Sequence, residues 1–187
     1  MKIIGIGDNV TDIYVNQNKM YPGGQTLNFA VYAKMQGIES AYMGVFGNDY
    51  RGLFVRKQLS ILNVDFSHSL IKEGGNGFAK IQLENGDRKF IGGNSGGISR
   101  INPLEIMEND YEYLKTFSLA HISLNSYVEN QIPKIKELGL LISFDFSDRS
   151  TNEYIDSIIK NIDFAFFSVS NLAEDELKSK LSNVWNK

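Results

Sequence analysis

Tyr21-Pro22-Gly23-Gly24-Gln25-Thr26-Leu27-Asn28-Phe29-Ala30 sets a glycine pair against what reads as the first turn of a helix. Two successive residues without Cβ let the backbone take positive φ and approach a ligand that side chains would exclude. Asn28 falls inside that first turn, where its carboxamide can donate and accept at once, a match for a vicinal diol. The free N–H groups of the helix start favour an oxygen-rich or anionic ligand. Ordinary strand-to-helix turns share the glycine pair, so its meaning depends on what flanks it.

Upstream, residues 2–7 read as a short buried strand, followed by Asp8, Asn9 and Asp12. Open parallel sheets hold ligands at the carboxyl ends of their strands. These two carboxylates either cap backbone groups at a turn or form an acidic rim suited to a polyhydroxyl ligand that carries an amine. Downstream, the helix predicted over 26–36 carries Leu27, Ala30, Val31 and Lys34 at i, i+3, i+4 and i+7, and Gly37 stops it. A strand over 40–45, a loop over 47–52 and a second helix ending near 62 follow.

The middle of the chain changes period. Short strands are predicted over 64–71, 77–84 and 88–91, with Ala79, Ile81 and Leu83 alternating with Lys80 and Gln82, and Asn85-Gly86 as a two-residue hairpin turn. This is the pattern of an antiparallel flap. The glycine-rich run over 92–97 is either a mobile hinge or a place where backbone meets ligand; no Lys or Ser/Thr follows at P-loop spacing. After Pro103 helices (110–117, 127–138, 152–159, and from Ala173 toward Trp185) alternate with strands (119–124, 140–146, 164–169). That alternation implies right-handed βαβ units and a parallel sheet covered on both faces. The fold class is therefore α/β, with the flap projecting as a small second sheet.

Composition narrows the function classes. The 187 residues carry a net charge of -3 with acids and bases interspersed, so neither nucleic acid nor an anionic membrane is an expected partner. No apolar run reaches the ~20 residues of a membrane span. Cys is absent, which excludes disulfides and thiol chemistry and agrees with a cytoplasmic setting. His68 and His121, both expected on strands, lack acidic or Cys partners at metal-ligand spacing and read as structural. Asp145, Ser147, Asp148 and Arg149 follow a buried strand and should reach the same carboxyl edge. Asn171 and Glu174, at i and i+3 after another strand, either hold hydrated Mg²⁺ or open a helix with its usual acidic first turn. Gly5-Ile6-Gly7 invites a dinucleotide-binding oxidoreductase, but Val10 stands where the third glycine of that fingerprint belongs.

Taken in order, Gly7-Asp8-Asn9-Val10-Thr11-Asp12, Gly23-Gly24-Gln25-Thr26-Leu27-Asn28-Phe29-Ala30, Gly47-Asn48-Asp49-Tyr50-Arg51-Gly52, the hairpin insert and Asn171-Leu172-Ala173-Glu174 resemble the ribokinase-like (PfkB) carbohydrate kinases. Phe144-Asp145-Phe146-Ser147-Asp148 and Asp163-Phe164-Ala165-Phe166 make the chain look most like the bacterial fructoselysine 6-kinases of that family. The resemblance implies one ribokinase-like domain over 1–187 with a β lid inserted at about 10–22 and 64–97, which often forms a homodimer contact. It implies ATP and Mg²⁺ as cofactors and a sugar or fructosamine as substrate. By motif match Asp12, Gly24 and Asn28 would bind the sugar hydroxyls, with Asp8, Asn9 and Gly23 as further substrate-binding candidates, and Asn171 and Glu174 would organise Mg²⁺ and phosphate through water, with no direct metal ligand. Ser170 replaces the usual Pro before that Asn, and Asn125 stands where ribokinases commonly have an acidic sugar contact.

The same resemblance places the proton-accepting Asp of these kinases in a Gly-Ala-Gly-Asp motif well downstream of Asn-x-x-Glu. No such motif occurs in the 187 residues, so no catalytic base is assigned. The expectation is a substrate-binding amino-terminal portion that does not turn over alone; the alternative is a non-catalytic sugar-binding or interaction protein.

Overall fold

In the computed structural model, which describes residues 1–169 together with 173, 175, 178 and 182, the apolar runs of the sequence become the strands of a parallel sheet. The elements that build it are β1 (Lys2–Gly7), α1 (Gln25–Met35), β4 (Glu39–Gly47), α2 (Tyr50–Ile61), β5 (Leu70–Lys72), β8 (Leu119–Ser123), β9 (Leu141–Asp145) and β10 (Phe164–Phe166). Among the described residues this sheet has six strands in the order β10-β9-β8-β1-β4-β5, and every pairing is parallel. The expected helix from Ala173 onward, Asn171 and Glu174 lie outside the described residues, apart from single positions.

Central strands are apolar almost throughout because helices cover both faces. Along β4, Tyr42 and Phe46 join Leu27 and Ala30 of α1 and Val55 and Leu59 of α2 in one core. The alternating Ala41, Met43 and Val45 join Ile4, Ile6, Ile122, Ile142 and Phe144 in the other. The second core is covered by α4 (Glu108–Leu114) and α5 (Ile132–Glu137), with α6 (Asn152–Ile158) beside β9. The helix expected over 127–138 is shorter than its periodicity suggested. A 3-10 turn at Glu129–Gln131 precedes α5, in which Pro133 occupies a position near the start where its missing N–H costs nothing.

The smaller sheet is mixed. It runs β3 (Lys19–Gly23), β2 (Val10–Tyr14), β6 (Gly77–Glu84), β7 (Asp87–Gly93), with β2 and β6 parallel and the outer pairs antiparallel. Asn85 and Gly86, with φ of 53° and 88°, make the two-residue turn between β6 and β7 that their sequence announces.

Two expectations are corrected here. Residues 64–71 do not form a strand of the flap: Asp65 bridges Ala41 and β5 pairs with β4, because the chain leaving α2 completes a βαβ unit at the edge of the large sheet. His68 accordingly lies in a turn, its Nδ1 2.8 Å from Asp110 and its ring stacked on Tyr113. The dinucleotide pattern, which Val10 already argued against, has no place in the fold, since β1 runs into β2 instead of a helix. Gly5 serves packing: a Cβ there would lie 2.1 Å from the Thr26 carbonyl oxygen, so its absence lets α1 settle on β1. Gly5→Ala is expected to lower stability by about 1–3 kcal/mol through overpacking, read from the urea midpoint of unfolding.

Candidate active site

The carboxyl ends of β1, β8 and β9 lie side by side, so the residues that follow them share one edge. Asp8 follows β1 and is buried. Its carboxylate accepts from the backbone N–H of Gln25 at 2.7 Å, the N–H of Thr26 at 3.2 Å, the Thr26 hydroxyl at 3.1 Å and the Ser123 hydroxyl at 2.9 Å. Gly24 is the N-cap of α1 and has no side chain to offer, so a carboxylate from another element satisfies the orphan donors. Asp8 is thus the cap of the two readings the sequence allowed, and it still borders the cleft above.

That cleft, about 1190 Å³, lies between the large sheet's carboxyl edge and the small sheet. Asp8, Asp12, Gly24 and Asn28 all line it. Gly23 is buried beside it; a Cβ there would sit 2.6 Å from an Asp12 oxygen, so the glycine makes room for that carboxylate. Asn9 is the sequence candidate not brought to the cleft. It is fully buried, with Nδ2 donating to the Tyr42 hydroxyl at 2.9 Å and to the Val45 carbonyl at 2.8 Å, because the chain between β1 and β2 needs an anchor to β4.

Asp12 and Asn28 differ from Asp8 in being uncommitted. Among the described residues neither side chain makes a hydrogen bond, although both are partly buried. Burial raises the Asp12 carboxyl above the ordinary aspartate range, and the positive charge of Arg88 pulls partly the other way. A half-buried carboxylate and carboxamide without partners carry a desolvation cost that a hydrogen-bonding ligand would remove.

Asp145 and Arg149 reach the carboxyl edge as expected, and Gln25, whose role the sequence did not show, links them through Asn125 in a chain of polar contacts. Asp145 accepts from Gln25 Nε2 at 2.6 Å, Asn125 Nδ2 donates to Gln25 Oε1 at 3.1 Å, and Arg149 donates to Asn125 Oδ1 at 3.3 Å. Gln25 was readable only as a helix-start residue, since its partners are a hundred positions away or more. Arg100 and Arg149 also line the cleft. The glycine run over 92–97 borders it as well, through Gly92, Gly93, Ser95 and Gly96. Of the residues with positive φ that are neither Gly nor Asn, Ser95 (52°), Tyr127 (57°) and Ser147 (58°) all line this cleft. Backbone strain of this kind concentrates at sites that bind ligands. Among the described residues no group of three or more His, Cys, Asp or Glu side chains could hold a metal ion, and no helix is long and apolar enough to cross a membrane.

Against known proteins, the model of the pfkB family carbohydrate kinases matches residues 1–176. The chain belongs to that family. It is 39% identical over 178 residues to a fructosamine kinase of Bacillus subtilis, covering 94% of this chain and 62% of that protein. It is 32% identical over 180 residues to fructoselysine 6-kinase of Escherichia coli, covering 96% of this chain and 67% of that one. Arabidopsis thaliana ribokinase, solved in complex with ribose and ATP, shares the fold with a TM-score of 0.80 at 14% identity over 99% of this chain and 68% of that one. The chain therefore spans about two thirds of the length of these relatives.

His121 lies under this site, 2.8 Å from the Ser143 hydroxyl through Nδ1 and stacked on Phe29. Burial pushes its pKa down to about 4, with Asp145 and Asp8 opposing the shift. An unfolded chain binds the proton near pH 6.5, so above that pH His121 is neutral in both states and costs nothing. Between about 6.5 and 4 only the unfolded state gains the proton, and stability falls by up to about 3 kcal/mol. His121→Gln removes this dependence, so the stability gap between wild type and variant should narrow as urea denaturation is repeated from pH 7 down to pH 4.5.

Proposed function

We propose that this chain is the substrate-binding portion of an ATP-dependent kinase acting on a hydroxyl of a fructosamine of the fructoselysine type. The observation that carries the reading is the pair of unpartnered polar side chains, Asp12 and Asn28, on one wall of a cleft at the sheet's carboxyl edge. Asn28 offers both hydrogen-bonding senses to a diol, while Gly24 lets the backbone come close. Asp12 supplies negative charge for the substrate's secondary ammonium, an attraction strengthened by partial burial. The similarity to a fructosamine kinase of Bacillus subtilis and to fructoselysine 6-kinase of Escherichia coli supports the same substrate class.

ATP, when bound, supplies the phosphoryl group, and Arg100 and Arg149, which line the cleft among as many aspartates as arginines, are the cations that would meet a phosphate donor. For Mg²⁺ the family resemblance assigns Asn171 and Glu174, which lie outside the described residues. Phosphoryl transfer rests on positioning and charge stabilisation. The family's base and anion hole belong to the Gly-Ala-Gly-Asp motif, which the 187 residues do not contain, so these residues are proposed to bind substrate without turning it over. Phe90 and Ile91 leave apolar surface exposed on β7, and we assign it to a homodimer contact through the small sheet. A cytoplasmic setting agrees with the lack of Cys.

Calorimetry on the 187-residue chain should show fructoselysine bound more tightly than fructose, with Asn28→Ala weakening it by about 1–3 kcal/mol. Equal affinity for the two ligands would remove the amine assignment, and an unchanged Asn28→Ala isotherm would mean a different pocket. In a coupled assay with ATP and Mg²⁺ the chain alone is expected to form no sugar phosphate; measurable turnover would contradict the role given to the absent motif.

A further inference from the structure

A second cavity of about 480 Å³ opens beside the cleft, and Asp12, Asn28 and Arg88 line both. Its floor is aliphatic: Val31 comes from α1 and Leu62 from the C-cap of α2, over the fully buried Leu27 and Leu59. Its roof is Tyr14 and Tyr21 from β2 and β3, whose rings meet edge to face at 5.5 Å. The register explains this roof. Asp12 is paired with Tyr21, directly opposed strand residues point to one face of a sheet, and Tyr14 lies two residues on from Asp12. One face of the small sheet therefore presents a carboxylate with one aromatic ring beside it and a second ring two residues on.

We infer that the smaller cavity is a subsite for the aliphatic chain attached to the sugar nitrogen of a glycated amine, with the Asp12 carboxylate meeting the ammonium where the two cavities join. This rests on the sugar-binding reading of the cleft and extends it to the far side of the substrate. The order of chemistry along the two cavities is the order of chemistry along such a molecule. Hydroxyl groups lie beside Gly24 and Asn28, the cationic nitrogen at Asp12, and the methylenes between aliphatic floor and aromatic roof. Burial raises the Asp12 carboxyl and the charge of Arg88 partly opposes that, while among the described residues the two form no ion pair, so the carboxyl oxygens stay available to a ligand. An unsubstituted sugar would leave the second cavity to water. A small-molecule site of this size is normally filled by a largely apolar group held by a few polar ones.

The test is calorimetry on the 187-residue chain with fructose, N-methyl fructosamine and N-butyl fructosamine. Each buried methylene contributes up to about fourfold in affinity, so the butyl ligand should bind at least about tenfold more tightly than the methyl one. Gln58→Trp, which fills the cavity from the α2 wall, should bring the butyl-to-methyl ratio to about one. Leu62→Glu, at a partly exposed site on the same wall, should lower the ratio too and guards against a folding defect in the first variant. If the methyl compound binds better than fructose but the butyl chain adds nothing, or if both variants keep the wild-type ratio, the subsite is wrong and the sugar reading stands. Should neither amine bind better than fructose, the amine reading of the cleft and this inference fall together.

Discussion

The carboxylate of Asp8 holds the start of α1 in place. Four donors converge on it from two elements: two backbone N–H groups and a hydroxyl from α1, and a hydroxyl from the end of β8. A helix that begins at a glycine pair has no side chain of its own to stop fraying, and its first N–H groups point into a cleft where water or a ligand would compete for them. Anchoring them to a buried anion complements the helix dipole and fixes where residue 28 lies relative to residues 8 and 123. The site's precision follows from that. Gln25, held at the same helix start, reaches across to Asp145 and Asn125 and so ties β9 and the loop after β8 to α1.

With that frame fixed, the small sheet adds the variable part. Asp12 enters through β2, a strand whose two neighbours, β3 and β6, hold it in register. Gly23 lies across from Val10 on the neighbouring strand and leaves the space that the Asp12 side chain takes. The division of labour between the two aspartates is physical. Asp8 has every nearby donor and is buried; Asp12 has none among the described residues and faces open volume. Two carboxylates four positions apart therefore do opposite work, one holding the fold and one left for a guest.

The central strands β1, β4, β8 and β9 were legible because they are largely buried and read as short apolar runs, a signal that needs no knowledge of distant contacts. The β6–β7 hairpin was legible from Asn85-Gly86 for the same reason. Residues 64–71 were misplaced because a short exposed strand such as Leu70-Ile71-Lys72 carries no periodicity that names its partner, and the βαβ connection from α2 decided the matter. Asp12, Gly24 and Asn28, which the family resemblance named, line the cleft, whereas Asn9, named with them, is a buried anchor. Gln25, Arg88 and Arg100 had no local signature, since each gains meaning only from elements brought together by the sheet order.

On the proposed reading, substrate choice does not reside in the parallel sheet, a scaffold this chain shares with Arabidopsis ribokinase at 14% identity. What the scaffold supplies is an edge where carboxyl termini gather and a helix start at which hydroxyl groups can be read. On that proposal discrimination comes from groups that line the cleft from the small sheet and from the segments after β7, β8 and β9. Those are the segments that hold Asp12, Arg88, Arg100, Asn125 and Arg149, and that carry positive φ at Ser95, Tyr127 and Ser147. Unpartnered charge and strained backbone both cost stability, and both fall here on surfaces that a ligand would cover, while the buried polar groups beneath are largely satisfied. That distribution is the physical reason for placing recognition at the meeting of the small sheet with α1 and not in the core below.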